Sequence, residues 1–262
     1  MTYTISVANE KGGVAKTTTT ISLGAALNEA GQRVLLIDLD AQANLSLALG
    51  VEPGKSPRSV ANVLLESASL SSAVLETGIP GLDLIASNAE MGMSERFLPL
   101  RSNYEETIRK MIHSEAAALN YDFIIMDCPP FLGVVTTNAL IASDLLLVPT
   151  QAEYFSIYAL RNLMGLVRRI RTQQNPRLTY RLILTMYDRR NRTHRNLSEQ
   201  LRVSFTSGVL DTVIDTDTKL RESPIAGLPV IYHAPKSRAA LEYRALAQEI
   251  LTYVKETTLQ PA

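Results

Sequence analysis

The sequence predicts an α/β fold: a single doubly wound, mostly parallel sheet flanked by helices. Three observations carry the prediction. Short apolar runs alternate with longer helical stretches along all 262 residues, the pattern of repeated strand–helix units. The apolar runs are dense in Val, Ile and Leu and mostly lack polar alternation, as strands covered on both faces do. No composition break, repeat or low-complexity linker interrupts the chain, so residues 1–262 read as one domain.

Strands are expected at residues 3–8, 34–37, 82–85, 123–126, 145–149 and 182–185. Helices are expected at 17–29, 59–66, 104–118, 136–142, 156–173 and 197–205, with an amphipathic helix at 237–256. Pro53-Gly54-Lys55-Ser56-Pro57 reads as a surface loop. Hydrophobic residues make up 46% of the chain, enough for a core. No apolar run approaches the roughly 18–20 residues of a membrane span, and residues 1–8 lead into a strand pattern, not a secretory leader. A lone cysteine, Cys128, excludes an internal disulfide or a cysteine metal cage and points to a reducing cytoplasm. The zero net charge hides a split. Residues 1–160 hold 9 Lys and Arg against 17 Asp and Glu, and residues 161–262 hold 17 against 9. Such asymmetry hints at an anionic partner for the basic part.

The stretch Asn9-Glu10-Lys11-Gly12-Gly13-Val14-Ala15-Lys16-Thr17-Thr18 follows a strand and opens a helix, the setting of a phosphate loop. Backbone amides in such a turn converge on an anion, helped by the positive end of the helix dipole. Gly12, Gly13, Val14, Ala15 and Thr18 would form the cradle, Lys16 would reach the β- and γ-phosphates, and the Thr17 hydroxyl would join a Mg²⁺ shell. ATP and Mg²⁺ are therefore the expected ligands. Glu10 and Ala15 stand where the ordinary G-x-x-x-x-G-K-[ST] pattern has glycine. Should the backbone at Ala15 need φ > 0, its Cβ costs on the order of 1 kcal/mol, and weaker or slower nucleotide handling is expected.

Asp38 and Asp40 end an apolar strand at spacing i, i+2. Both carboxylates should project on one side of its C-terminal tip, where open α/β sheets bind ligands; capping of the following helix is the alternative. Tyr121-Asp122-Phe123-Ile124-Ile125-Met126-Asp127 is another apolar strand ending in an acid, the Walker B form, with Asp127 holding Mg²⁺ through its water shell. Cys128 reads as a small buried residue, not a nucleophile.

What fits the loop is the pattern K-G-G-x-G-K-[ST], with Ala15 departing from it. Here the sequence resembles the ParA/MinD/Soj family of deviant Walker A ATPases, sharply at residues 9–18, 34–44 and 121–150 and loosely after 186. The resemblance implies that Lys11 crosses an ATP-dependent sandwich homodimer to the phosphates of the partner subunit. It makes Lys11, Lys16 and Asp40 the catalytic set, with Asp40 orienting the attacking water and Asp38 serving the Mg²⁺ shell beside Thr17 and Asp127. Ala41 replaces the proline of the family's D-x-D-P-Q segment, and Cys128-Pro129-Pro130 matches its second switch. Ile183-Leu184-Thr185-Met186-Tyr187-Asp188 resembles the strand and loop near the adenine, with Met186 and Asp188 as contacts; an ordinary strand end is the alternative. An electron-transfer ATPase with the same loop needs paired cysteines, which one Cys128 per chain cannot supply.

Family members use ATP to time their residence on DNA or on a membrane. The ending at residues 253–262 is too polar and short for a lipid-facing stripe, so no membrane is expected. Between Arg161 and Arg195 there are ten arginines and a single acid, Asp188, suited to salt-sensitive, sequence-independent phosphate binding; a solvated face is the alternative. Arg189, Arg190 and Arg192 belong to this set. Thr218-Lys219-Leu220-Arg221-Glu222-Ser223-Pro224 resembles the family's DNA-contacting V-R-L-S-E-A-P stretch, which adds Lys219 and Arg221, and the turn Pro235-Lys236-Ser237-Arg238 adds Lys236 and Arg238. Asp215-Thr216-Asp217 replaces the family's P-R-N, removing an arginine and adding acids. The expectation is a cytoplasmic, nucleoid-associated partitioning ATPase whose dimer binds DNA nonspecifically and whose slow hydrolysis a ParB-like or cargo-adaptor protein stimulates. With no DNA-binding extension ahead of the loop, operon autorepression is not expected. A nucleotide-gated scaffold, or a MinD-like positioning protein for a protein or membrane cargo, is the alternative.

Overall fold

The computed structural model describes residues 2–259, apart from the side chains of residues 116, 117, 155, 157, 258 and 259. Its strands are β1 (Tyr3–Val7), β2 (Val34–Asp38), β3 (Val74–Ile79), β4 (Leu82–Ile85), β5 (Phe123–Asp127), β6 (Leu145–Thr150), β7 (Thr179–Tyr187) and β8 (Val209–Asp215). Between them run α1 (Lys16–Glu29), α2 (Asn44–Ala48), α3 (Val60–Glu66), α4 (Met91–Phe97), α5 (Thr107–Leu119), α6 (Val134–Ile141), α7 (Tyr154–Gln173) and α8 (Arg192–Phe205). After β8 come α9 (Lys219–Glu222), α10 (Val230–His233) and α11 (Arg238–Leu259).

The strands form one eight-stranded sheet in the order β3-β4-β2-β5-β1-β6-β7-β8. Every pairing is parallel except β3 with β4. The inner strands β2, β5 and β6 are buried at every residue, so they show no polar alternation. Their apolar side chains still alternate in space. Leu35, Ile37, Ile124 and Met126 join one core with α3 to α8, while Val34, Leu36, Phe123 and Ile125 join the other with α1, α10 and α11. On the second face α1 lies so close to β2 that a Cβ at Gly24 would sit 2.7 Å from Leu36 Cδ2. Tyr243 of α11 is fully buried against α1, its hydroxyl 3.2 Å from Thr19 Oγ1.

The strands absent from the sequence reading, β3 and β8, are the two edges of the sheet. Their exposed positions carry charged residues or glycine, Glu76 and Gly78 in β3 and Asp211 in β8, which dilutes the apolar signal. No helix among the described residues is long and apolar enough to cross a membrane. The polar ending weighed above lies partly beyond them: α11 runs to Leu259, and Gln260, Pro261 and Ala262 lie outside the described residues.

Candidate nucleotide site

The site lies at the C-terminal ends of the strands. The loop from β1 to α1 is anchored first by Asn9, a buried polar residue at the end of an apolar strand. Asn9 Nδ2 donates to Pro149 O at 2.8 Å, and its Oδ1 accepts from the Lys11 amide at 3.0 Å. Thr185 of β7 holds the middle of the loop by donating its hydroxyl to Val14 O at 3.0 Å. Two residues take left-handed backbone, Gly13 at φ 72° and Ala15 at φ 66°. Glycine adopts such a φ freely, but alanine does so only at a cost. The positive φ asked of Ala15 by the sequence reading is thus real. It turns the chain so that α1 starts at Lys16 with no side-chain cap. Thr19 N donates back to Ala15 O at 2.9 Å, and the amides of Lys16, Thr17 and Thr18 lie ahead of it, as first-turn donors without intrahelical acceptors.

Those residues open onto a cavity of about 610 Å³ whose walls include Gly13, Lys16, Thr17, Thr18, Asp40 and Pro130. Lys16 is nearly buried, and its Nζ donates to Lys11 O at 3.3 Å. Burial lowers its pKa, opposed by the charge of Asp127. Behind the wall, Thr17 Oγ1 donates to Asp127 Oδ2 at 2.6 Å and Thr20 Oγ1 to Asp127 Oδ1 at 3.3 Å. Asp38 is the register neighbour of Asp127 across the β2–β5 pairing. Its Oδ2 accepts from Ser46 N at 2.9 Å and Ser46 Oγ at 2.7 Å, and its Oδ1 from Asp40 N at 3.2 Å. Asp40, half-buried, turns to the cavity with Oδ1 on the Gln42 amide at 2.9 Å. Asp38 and Asp40 therefore separate into a deep acid and a cavity acid.

Both deep carboxylates titrate high. Burial pushes Asp38 up to about 6, against the lowering effect of its Ser46 bonds. Burial and then the charge of Asp38 push Asp127 up to about 8, against the Thr17 bond and Lys16. Burial also pushes the Cys128 thiol well up, consistent with an inert buried residue.

Lys11 points away from the cavity. Its ammonium donates to Gln151 Oε1 at 2.8 Å, Glu153 Oε2 at 2.5 Å and Ser156 Oγ at 3.1 Å. Gln151 also donates to Gly13 O at 3.3 Å and to Met186 Sδ, tying the segment after β6 to both loops. Met186 is itself left-handed at φ 51°. Asp188 Oδ1 receives the Arg190 amide at 2.9 Å. Neither residue lines the cavity beside Lys16; Asp188 lines a separate one of about 550 Å³ with Arg189, Arg190, Asp215 and Arg238.

The sequence model of a family described as AAA domain matches residues 2–180. A chromosome partitioning protein ParA of Caulobacter vibrioides is 36% identical over 259 residues, 98% of this chain and 97% of that protein. The sporulation initiation inhibitor protein Soj of Bacillus subtilis is 37% identical over 247 residues, 94% of this chain and 97% of that protein. The chain belongs to the ParA/Soj family. A solved structure described as cobyrinic acid a,c-diamide synthase from Mycobacterium smegmatis with bound ADP and magnesium superposes with a TM-score of 0.85 at 34% identity, covering 100% of this chain and 99% of that one. One fold carries differently named activities, so fold alone assigns none.

In this ParA/Soj-family chain the candidate DNA residues lie on three neighbouring segments. Arg189 and Arg190 follow β7 and Arg192 opens α8; Lys219 and Arg221 lie on α9; Lys236 and Arg238 flank the start of α11. The acids between them are structural. Buried Asp215 accepts from Arg189 Nε at 2.7 Å and lies 3.5 Å from Arg238 Nη1. Asp217 accepts from Lys219 N at 2.9 Å and Ala239 N at 3.1 Å. Lys219 pairs with Glu222 at 2.6 Å and Arg190 with Asp188 at 3.3 Å. Asp215 and Asp217 thus join the three segments, and part of the basic charge is neutralised within the chain.

Two predictions follow from the loop and the acids. Ala15→Gly removes the left-handed Cβ and is expected to stabilise the ligand-free protein by up to about 1 kcal/mol and to tighten ATP binding. Denaturant titration and nucleotide titration check this, and unchanged values in both would remove the strain argument. The folded-state values of Asp38 and Asp127 stand above the ordinary 3.8, so the native chain holds more protons than the unfolded one and its stability falls as pH rises from about 4 to about 8. Asp127→Asn removes most of that penalty. Its melting temperature should gain on the wild type between pH 5 and pH 8 in Mg²⁺-free, nucleotide-free buffer; a pH-independent difference contradicts the assignment.

Proposed function

We infer that this chain is an ATP-dependent partitioning ATPase. ATP with Mg²⁺ fills the 610 Å³ cavity, the loaded chain pairs as a sandwich homodimer, and the dimer holds DNA without sequence preference. A ParB-like or cargo-adaptor partner then stimulates the hydrolysis that releases it, so the protein works in the cytoplasm on the nucleoid. The observation that carries this reading is the meeting of a left-handed loop, Lys16, Thr17 and Asp40 at one cavity, with Asp127 touching Thr17 behind it.

The donor set suits Mg²⁺, which favours oxygen ligands and keeps several waters. The Thr17 hydroxyl would bind it directly, and Asp127 and Asp38 would hold its water shell. When bound, the ion would supply positive charge that offsets the charge of the nucleotide phosphates. The cradle amides and Lys16 would bind the phosphates in that cavity, and Met186 and Asp188 at the end of β7, which do not line it, would meet the adenine where the nucleotide extends past the loop. A carboxylate is too weak a base to take a proton fully from water; the contribution of Asp40 is to orient the attacking water, while Lys16 and the partner's copy of Lys11 stabilise the charge that develops. In the single chain Glu153, Gln151 and Ser156 hold the Lys11 ammonium. Pairing exchanges those contacts for phosphate oxygens on the other subunit.

DNA binding rests on Arg189, Arg190, Arg192, Lys219, Arg221, Lys236 and Arg238. Asp215 draws down two of them, Arg189 and Arg238, so it limits how much charge meets the phosphates. The test is binding of a long nonspecific duplex with no nucleotide, with ADP and with ATP, at two salt concentrations. Binding is expected with ATP alone and should weaken with salt. Asp215→Asn should bind more tightly and steepen the logarithmic salt dependence by about 1–2, one increment for each phosphate gained. Binding that ignores nucleotide, or is absent throughout, would overturn the DNA reading.

A further inference from the structure

α6 begins directly after the loop of residues 128–133, which contributes Pro130 to the cavity wall. A helix start leaves amides without acceptors, and here the N-cap residue, Gly133, has no side chain to supply one. The acceptor comes from another element. Glu95 of α4 takes the Val134 amide on Oε2 at 2.7 Å and the Val135 amide on Oε1 at 2.9 Å. Gly133 makes room for it: the three atoms nearest to a Cβ built at Gly133 all belong to the Glu95 carboxylate, too close for any side chain at that position. The middle of α6 is fixed separately, through buried Asn138, whose Oδ1 accepts from Thr107 N at 3.1 Å.

The same short helix reaches the other acidic arm of the site. A Cβ on Gly92 would lie 4.0 Å from Ala41 Cβ, the residue next to Asp40. Just before α4, Ser87 N donates to Ser46 Oγ at 3.0 Å, and that hydroxyl donates to Asp38 at 2.7 Å. One segment, residues 87–95, therefore bonds to the surroundings of Asp38 and to the start of α6 after the Asp127 loop, and passes close to Ala41 beside Asp40.

We propose that Glu95 is a positioning residue for ATP hydrolysis, clamping the start of α6 to α4 so that the Pro130 loop and the Asp40 segment keep a fixed separation across the cavity. The proposal rests on the ATPase reading above. Glu95 touches neither the phosphate cradle nor Lys16, so its loss changes turnover and not nucleotide affinity. A simple helix cap is a different role, and a local cap can stand in for it. In Glu95→Ala the carboxylate that crowds position 133 is gone, and Gly133→Ser then supplies an N-cap hydroxyl without restoring the link to α4.

The experiment measures ATP affinity, single-turnover phosphate release and melting temperature for the wild type, Glu95→Gln, Glu95→Ala and Glu95→Ala/Gly133→Ser. The expected result is ATP affinity within about twofold of wild type and phosphate release at least about fivefold slower in both single variants, with release still slow in the double variant. Release within about twofold of wild type in Glu95→Ala overturns the proposal. So does release that recovers together with the melting temperature in the double variant, because Glu95 is then only a cap. A wild type that releases no phosphate at all fails the ATPase reading, not this one.

Discussion

Asp38 and Asp127 are buried side by side at the C-terminal ends of adjacent parallel strands, where β2 and β5 bring the two residues into register. Two carboxylates taken out of water together are costly unless a proton, a cation or hydrogen bonds compensate them. The surrounding chain supplies hydrogen bonds to both. Thr17 and Thr20 at the start of α1 bind Asp127, and Ser46 binds Asp38 through backbone and side chain. Those bonds seat α1 on the sheet, and with it Lys16 and the left-handed turn at Ala15. The strained loop and the acid pair thus belong to one construction, with buried acids below and first-turn amides above a single cavity.

The basic side of the molecule follows a similar logic on its surface. The excess of arginine and lysine after residue 160 does not spread over a bare cationic face. Buried Asp215 and partly exposed Asp217 gather three chain segments that are far apart in sequence, and they spend part of the charge of Arg189 and Arg238 in doing so. In place of P-R-N, this chain has acids that organise the basic groups around them. The net charge of a region is a weak guide to the field it presents; which cations already have partners matters more.

Much of this was legible in the sequence because it rests on local pattern. Interior strands are apolar on both faces, and the phosphate loop, the Asp38–Asp40 spacing and the Asp127 strand end are contiguous signals. The edge strands β3 and β8 were not legible, since exposed edges take polar residues. Nor could the separation of Asp38 from Asp40 be read, because it depends on Ser46 and the turn between them. The Lys11–Glu153 pair spans 142 residues, and Glu95 meets α6 across 39. Nothing in local spacing announces such contacts. Asn9 was the exception with a usable signal, a buried amide ending an apolar strand just ahead of a glycine loop.

The acid pair beneath Thr17 leaves the cavity suited to a divalent cation beside the nucleotide. Equilibrium binding of ATP to the wild-type protein, with Mg²⁺ and with a chelator in its place, tests it most directly. Mg²⁺ is expected to tighten binding by about tenfold or more, equivalent to about 1.4 kcal/mol at the least, because the cation would offset the two buried acids behind Thr17. Equal affinity in the two conditions would contradict it and leave Asp38 and Asp127 as structural acids alone.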